Sequence, residues 1–453
     1  MGTVHAKELE MGDPGMEPEV LDFRKLSAKV ERVIIDGLGR TKDDLIVKQV
    51  KDIFQADNFQ EMIRRTHEVK LRLERLGIFK HVAIFVDTSK GPDAKPNGYE
   101  VIFEVQELRR VAGGISTLIG HNDASVLFNL RLPNVFGRAE KVQMEYTHGT
   151  KQNRGYNLFV SKPLGGNPDI VLSSGVYQGH GEYPWSGYKE TDRGVSVDLT
   201  FPSFLGAHCV KWEGMWRDLR ALSPTTSFAV REQSGHSVKS SFKHILVRDK
   251  RDDPVLPSRG TLLRLVQEYA GVGGNVEFVK HDLEFQINQS LIWDTVVQLS
   301  LAGGIMKSLD PTKDLRVNDR FMLGGPLTLR GFNLKGVGPH SDGNALGADT
   351  YWLCAFHMYT PLPFRPGKGG FGELFRSHFF INAGNLGNLN FDGSLKEKVL
   401  ELGEALRWSY GGGVVLRMGR VARLELNYVI PMQVQRGDSL NPGVQFGIGL
   451  SFL

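Results

Sequence analysis

Thirteen histidines, two cysteines and 51 acidic residues give this 453-residue chain many groups that could hold a metal or move a proton. Their spacing points to neither. His67-Glu68 begins the H-E-x-x-H pattern of a zinc peptidase, but Leu71 occupies its last position. Cys209 and Cys354 form no C-x-x-C, so neither a disulfide framework nor a zinc ribbon is expected. There is no G-x-S-x-G and no G-x-x-x-x-G-K-S/T. Asn288-Gln289-Ser290 fits a glycosylation sequon, yet it falls inside a predicted strand. The glycines from Gly324 to Gly331 resemble a phosphate cradle but lack its strand-loop-helix setting. What that stretch does offer is one cation in an apolar frame: Gly324-Gly325-Pro326-Leu327-Thr328-Leu329-Arg330-Gly331-Phe332. It is either a glycine-rich hairpin tip with a solvated arginine or a loop that docks Arg330 against the inner wall of a β-barrel. A disordered linker would rarely hold Leu327, Leu329 and Phe332 so close together. The expected role is docking, with no enzyme activity, cofactor or metal.

The elements that would position Arg330 lie on both sides of it. Residues 306–348 do not read as strand, and the intervals around them do. A loop of that length between strands is usually functional or disordered. From Val111 onward, apolar and polar residues alternate with period two. Val126, Phe128, Leu130 and Leu132 oppose Asn129 and Arg131. Leu283, Phe285 and Ile287 oppose Asp282, Glu284, Gln286 and Asn288. Ala422, Leu424, Leu426, Tyr428 and Ile430 oppose Arg423, Glu425 and Asn427. At the C-terminus Phe446, Ile448, Leu450 and Phe452 share one face, with Gln445, Gly447, Gly449 and Ser451 on the other. A soluble sandwich alternates too. Long strands whose polar faces carry charge after charge fit a barrel with a wet lumen better. Trp185, Tyr183, Trp212, Trp216, Trp293, Tyr351 and Trp352 are expected near strand ends, as aromatic girdles. Seventeen candidate strands are one too many for antiparallel closure. Thr225 to Gln233 is the weakest and is read as a loop, leaving eleven strands before the long loop and five after it. Residues 110–453 then form a 16-stranded antiparallel transmembrane β-barrel.

Residues 29–108 read differently. Val30 to Ile35 forms a strand. Thr41 caps a helix with Asp44 as its capping-box partner, and an apolar stripe runs through Ile46, Val50, Ile53 and Phe54. Asn58 caps a second helix, which Gly77 ends. Two alternating strands follow, around Val82 to Asp87 and Tyr99 to Gln106. The order is β-α-α-β-β. Residues 1–28 are acidic and proline-containing, and are read as a disordered tail. They lack the apolar segment of a secretory signal and the Arg-rich amphipathic pattern of a transit peptide.

Composition sets the outer bounds. With 55 basic and 51 acidic residues, the net charge of +4 is too balanced to argue for nucleic acid. No apolar run is long enough for a spanning helix. Strands cross a membrane without such a run.

Several of these segments resemble one superfamily, the barrel-protein insertases and polypeptide translocators of outer membranes. Residues 29–108 resemble a single polypeptide-transport-associated (POTRA) domain through Gly37 and the helix exit Leu76-Gly77-Ile78-Phe79. Gly324-Gly325 with Leu329-Arg330-Gly331-Phe332 matches that superfamily's lumen-entering loop. Asp249, Pro257 and Gly260 resemble its D…P-x-x-G connection. Phe380-Ile381-Asn382-Ala383-Gly384 matches its F-x-D-x-G strand, whose carboxylate receives the loop arginine. Here Asn382 stands in place of Asp. The resemblance then implies a hydrogen bond to Arg330 in place of an ion pair, or another acceptor.

Within the superfamily the chain is most similar to the central barrel subunits of the mitochondrial sorting and assembly machinery. A single module precedes the barrel, no secretory signal is seen, and Gln445, Gly447, Leu450 and Phe452 resemble a mitochondrial β-signal. That resemblance implies an insertase in the mitochondrial outer membrane, with its N-terminal module in the intermembrane space. It implies a lateral seam between the first strand, Val111 to Ile119 with Gly113 and Gly114, and the last, Val444 to Phe452 with Gly447 and Gly449. The implied partners are β-barrel precursors, the lipid bilayer, metaxin-type accessory subunits and a cristae-organising complex. A passive pore and a polypeptide-translocating channel are the rival readings, and a porin would carry the same terminal signal.

Overall fold

The computed structural model describes residues 26–90, 95–120, 123–149, 153–362, 371–389, 403–419, 421–449 and 452. Most of the expected tail therefore lies outside the described residues. Its last three residues are ordered against the first domain. Ala28 is buried and its N–H donates to Asp57 O, while Leu26 O accepts from Phe59 N.

The chain forms two units. The first is a small α+β domain of the POTRA-like kind. It runs β1 (Lys29–Asp36), α1 (Asp43–Val50), a short 3-10 turn (Lys51–Gln55), α2 (Phe59–Arg75), β2 (Phe79–Thr88) and β3 (Gly98–Glu107). Its sheet order is β1-β3-β2, with β1 parallel and β2 antiparallel to β3. Asn58 caps α2 by accepting from Glu61 N at 2.7 Å. The expected capping of α1 by Thr41 does not form. Lys42 is the N-cap and provides no side-chain hydrogen bond. The Thr41 hydroxyl instead donates to Glu107 at 2.6 Å. The same carboxylate takes the backbone N–H groups of Gly39, Arg40 and Thr41 at 3.2, 3.0 and 2.9 Å. A stronger, charged acceptor has drawn Thr41 away from the helix.

The second unit is the barrel. Its first eleven strands are β4 (Ala112–Gly120), β5 (Asp123–Pro133), β6 (Lys141–Gly149), β7 (Arg154–Pro163), β8 (Val171–Tyr183), β9 (Tyr188–Pro202), β10 (Ala207–Ala221), β11 (Gly235–Asp249), β12 (Gly260–Gly274), β13 (Phe278–Ser290) and β14 (Val296–Ser308). A loop carrying the short hairpin β15 (His340–Ser341) and β16 (Asn344–Ala345) follows. Five strands close the chain: β17 (Thr350–Pro361), β18 (Phe375–Gly387), β19 (Arg407–Met418), β20 (Ala422–Gln433) and β21 (Gly443–Gly449). All sixteen lie in one antiparallel sheet in chain order. Thr225 to Gln233 holds no strand and contains the one-turn helix α3 (Phe228–Arg231). Among the described residues no helix is long and apolar enough to cross a membrane.

The burial pattern is that of a transmembrane barrel. On β20 the apolar Leu426, Tyr428 and Ile430 are exposed, while Arg423, Glu425 and Asn427 are buried. On β13 Leu283 and Ile287 are exposed, and Gln286 and Asn288 are buried. A soluble sheet would show the reverse.

Two boundaries differ from expectation. The loop spans 309–349, not 306–348. Met306, Lys307 and Ser308 continue the ladder opposite Lys280, Val279 and Phe278. Gly303-Gly304 breaks the side-chain alternation just before them and hides the strand's end. The described residues of the last strand end at Gly449. Phe452 is only 4 % exposed, whereas Phe446 is 52 % exposed, so the two do not share a face. Trp212 and Trp216 lie inside β10 and not at its ends.

Glu107 supports a prediction for the small domain. Burial raises its pKa, but the hydrogen bonds from Thr41, Arg40 and Gly39 outweigh that and lower it to about 2. A depressed carboxylate stabilises above its unfolded pKa of 4.5, and the contribution is lost as pH falls towards about 2. Met62 is fully buried in this domain, so its oxidation by peroxide reports unfolding. In the full chain, Glu107→Gln should lower the urea midpoint for Met62 oxidation at pH 6, a cost of about 1–3 kcal/mol. The difference from wild type should shrink at pH 3. A pH-independent difference would remove the charged form from the account.

Candidate functional site

Arg330 has no exposed surface. The loop that carries it brings its own apolar core. Phe321, Leu323, Leu329, Phe332 and Val337 pack against Phe278, Met306, Leu353 and Leu386 from the wall. The Arg330 guanidinium donates through Nη2 to Glu425 Oε2 at 2.8 Å, on β20. Glu425 also accepts from Asn427 Nδ2 at 2.9 Å, and Arg423 Nη2 lies 3.1 Å from its other oxygen. The rings of Phe380 and Phe452 flank Arg330, with centroids 4.9 and 5.8 Å from its Cζ. Asn382 is not the acceptor. It donates through Nδ2 to Thr328 O at 3.1 Å and so holds the loop backbone. A carboxylate two strands away has taken the ion pair, because β20 presents Glu425 to the same interior.

The loop backbone is fastened to the end of the barrel wall. Ser409 Oγ donates to Arg330 O at 2.6 Å. Gln445 on β21 accepts from Gly331 N at 3.0 Å and donates to Phe332 O at 3.1 Å. Asn441 N donates to Gly331 O at 2.9 Å, and Asn333 N donates to Ser439 O at 2.9 Å. Gly331 has φ of 92°, and a Cβ there would stand 3.3 Å from Ser409, Val429 and Pro431. Only glycine fits that turn against the wall.

A second anchor lies before the motif. Asp319 receives both terminal nitrogens of Arg217, at 2.9 and 2.8 Å, and Lys239 Nζ at 3.1 Å. Lys280 Nζ donates to Asp319 O at 2.7 Å. Burial opposes its charge, but Lys239 and Arg217 hold the Asp319 carboxyl well below the usual carboxylate range. The loop is thus tied to β10, β11 and β13 at one point and to β19–β21 at another.

The barrel's two end strands differ. The described residues of β4 and β21 form no ladder with each other, although every other neighbouring pair does. On β21, Gly447 faces the loop. A Cβ there would stand 3.1 Å from Phe452 and 3.2 Å from Pro326, and one at Gly449 would meet Leu327 at 3.3 Å. These glycines give the loop room. On β4, residues 111–117 are exposed throughout, and a Cβ at Gly113 would find nothing closer than Asn129 O at 3.9 Å.

Comparison with known proteins agrees with this geometry. The Omp85 superfamily domain matches residues 134–452. The chain is 50% identical to the sorting and assembly machinery component 50 homolog of Bos taurus and 49% identical to that of Homo sapiens, covering 100% of both chains in each case. It belongs to the sorting and assembly machinery component 50 family of the Omp85 superfamily. Its fold is similar to the crystal structure of BamA from Haemophilus ducreyi lacking POTRA domains 1-3. The TM-score is 0.75 at 17% identity, over 93% of this chain and 84% of that one.

In this Omp85 chain the sequence motifs fall in separate places. Gly324, Gly325, Leu329, Arg330, Gly331 and Phe332 lie on the docked loop, and Gln445, Gly447 and Phe452 meet it. Asp249 ends β11 and Gly260 opens β12, with Pro257 in the turn between. Gly113 and Gly114 lie on β4, apart from the loop's contacts. Leu450 lies outside the described residues. Sequence reasoning missed Asp319 and Glu425. Asp319 sits in Arg316-Val317-Asn318-Asp319-Arg320-Phe321, a charged run that reads as a solvated face. Glu425 was visible as one polar position among many on an alternating strand.

Removing one partner of a buried pair leaves a charge without compensation, at about 3–5 kcal/mol. Arg330→Ala should therefore lower the urea midpoint of the barrel's heat-resistant gel mobility. Arg330→Ala with Glu425→Gln should lose less than the sum of the single changes. Strict additivity would mean that the two side chains do not act as a pair.

Proposed function

We propose that this protein folds β-barrel precursors and inserts them into the mitochondrial outer membrane, and that it does so at the seam between β4 and β21. The single observation that carries the reading is that, among the described residues, β4 and β21 form no ladder, whereas every other neighbouring pair of strands does. In hydrocarbon each unpaired backbone group costs several kcal/mol. A precursor strand has the same unmet need. An edge strand that can exchange partners lowers the cost for both. In this reading the precursor's C-terminal strand adds to β4 by β-augmentation. The exposed run 111–117 supports β4 as the receiving edge, since little packing opposes its separation.

The relatives' name, sorting and assembly machinery component, supports an assembly role. Gln445, Gly447, Leu450 and Phe452 would be the chain's own β-signal, read during its own insertion. The small domain would face the intermembrane space and receive precursors there. Metaxin-type subunits and a cristae-organising complex would be its partners. The chemistry is exchange of hydrogen bonds between strands, with no covalent bond broken and no cofactor. A passive metabolite pore fits less well, because the loop's apolar core occupies lumen space.

Organelles depleted of the protein should fail to assemble a radiolabelled porin while importing a matrix-targeted precursor normally. Normal porin assembly would end the insertase reading. For the seam, Ser116→Cys on β4 can be paired with cysteines scanned along β21, in a background lacking Cys209 and Cys354. Crosslinking should reduce porin assembly at least tenfold, and reduction should restore it. Full assembly with a crosslinked seam would refute strand exchange there.

A further inference from the structure

The outward face of β5–β10 carries a feature that a barrel in lipid does not need. The polar lining of the interior fixes which way each side chain points. Arg217 reaches the loop, so its neighbour Trp216 faces outward. Directly paired residues share a face. Trp216 pairs with Arg193, Arg193 with Gln178, Gln178 with Tyr156, and Tyr156 with Tyr146. This row therefore lies on the lipid side. One step nearer the strand ends, His148 pairs with Arg154 and Arg154 with His180. Below the row is a hollow of ≈ 920 Å³, lined on the outward face by Phe128, Met144, Leu158, Val176 and Val195.

Arginine on a lipid-facing strand position is costly, most at the bilayer centre and less towards the interface. Arg154 and Arg193 are both exposed, and the structure gives neither an ion pair among the described residues. Asp218, on the same face, is occupied by Arg220 at 2.7 Å and by His236 at 3.3 Å. Arg193 lies over the Trp216 ring, 5.5 Å from its centroid. The Tyr146 and Tyr156 rings stand 5.0 Å apart beside the hollow. Two cations without counter-charge stand above an apolar trough, bordered by aromatic side chains of the kind found at bilayer interfaces.

We propose that this face binds a phospholipid with a net negative headgroup. The phosphate is held between Arg154 and Arg193, with Gln178 as a further donor. One acyl chain lies in the hollow along Met144, Leu158 and Val176. A basic side chain near an anionic lipid surface gains about 1 kcal/mol, about fivefold in occupancy for each arginine.

The test uses the full chain in nanodiscs of phosphatidylcholine with a minor fraction of photoactivatable lipid. Phosphatidylglycerol and phosphatidylcholine probes carry the same photoactivatable acyl chain. Labelled peptides are mapped by mass spectrometry. Segments 144–158 and 176–195 should label several-fold more with the phosphatidylglycerol probe, while β17–β19 show no preference. Arg154→Gln with Arg193→Gln should abolish the preference, and Arg154→Lys with Arg193→Lys should keep most of it. Heat-resistant gel mobility reports that each variant is folded. Equal labelling by both probes would reduce the hollow to ordinary boundary lipid and overturn the proposal. So would a preference that survives the double glutamine variant. In native membranes, crosslinking of a photoreactive residue at Tyr156 to a protein in place of lipid would also overturn it. The outcome is independent of insertase activity, since no precursor is present.

Discussion

A barrel that turns most of its apolar side chains outward keeps only small inward clusters of its own, such as Val296, Tyr359 and Val415. Leu426, Tyr428 and Ile430 on β20 face out, and Arg423, Glu425 and Asn427 face in. Backbone ladders hold such a wall in one surface, but these clusters fill only part of the space it encloses. The long loop fills more of it. Leu329, Phe332, Leu323 and Val337 supply the apolar mass that the strands lack, and they bury it against the few apolar positions that face inward. Burial of a charge follows from that filling. Arg330 and Glu425 lose water because the loop covers them, so each depends on the other. The ion pair is therefore better read as a device of register than as a source of net stability. It specifies where the loop must sit.

Two anchors make that specification hold. A single contact would let the loop pivot. Asp319 fixes one point on β10, β11 and β13, and Arg330 fixes another on β20, with Ser409 and Gln445 beside it. The interval between them contains Gly324 and Gly325, where the backbone can turn back on itself. Strands far apart in the sheet are thereby linked through the interior. The link is polar at both ends and apolar between them. Water entering the lumen would weaken the ion pairs while leaving the apolar section in place. Neither part suffices alone.

The sequence disclosed the parts of this design that are periodic. Alternation located the strands, because period two leaves a mark on every residue, and the even count needed for antiparallel closure set their number. The loop was legible because Leu327, Leu329 and Phe332 crowd a glycine-rich run. Partners across the fold left no such mark. Glu425 lies 95 residues from Arg330, and nothing local separates it from Glu284 or Glu268 on other strands. Asn382 looked like the acceptor by its setting between Phe380 and Gly384, but a side-chain amide there reaches the backbone of Thr328. Thr41 was read as a helix cap because local capping is a short-range rule, and Glu107 overrode it from the far end of the domain. Phe452 fits the alternation of β21, and only the cations beneath it explain why it turns inward.

The two edges of the seam are not equivalent, and this bears on which of them would move in the proposed strand exchange. β21 is held by the loop through Gln445, through the packing of Pro326 on Gly447, and through the Phe332–Leu440 bridge just before it. Moving β21 would break these contacts and expose the buried pair they cover. β4 has a ladder only with β5 among the described residues, and its side chains from 111 to 117 are exposed. Among the described residues β4 makes none of these loop contacts, so on the proposed reading its movement would spare them. On the proposed reading, the fixed edge preserves the lumen and the loop while the free edge exchanges partners. The glycines divide in the same way. Gly447 and Gly449 make room for an anchor, whereas Gly113 and Gly114 leave a strand without one. Glycine spacing in the two strands looks alike in the sequence, yet on the proposed reading it serves opposite mechanical ends.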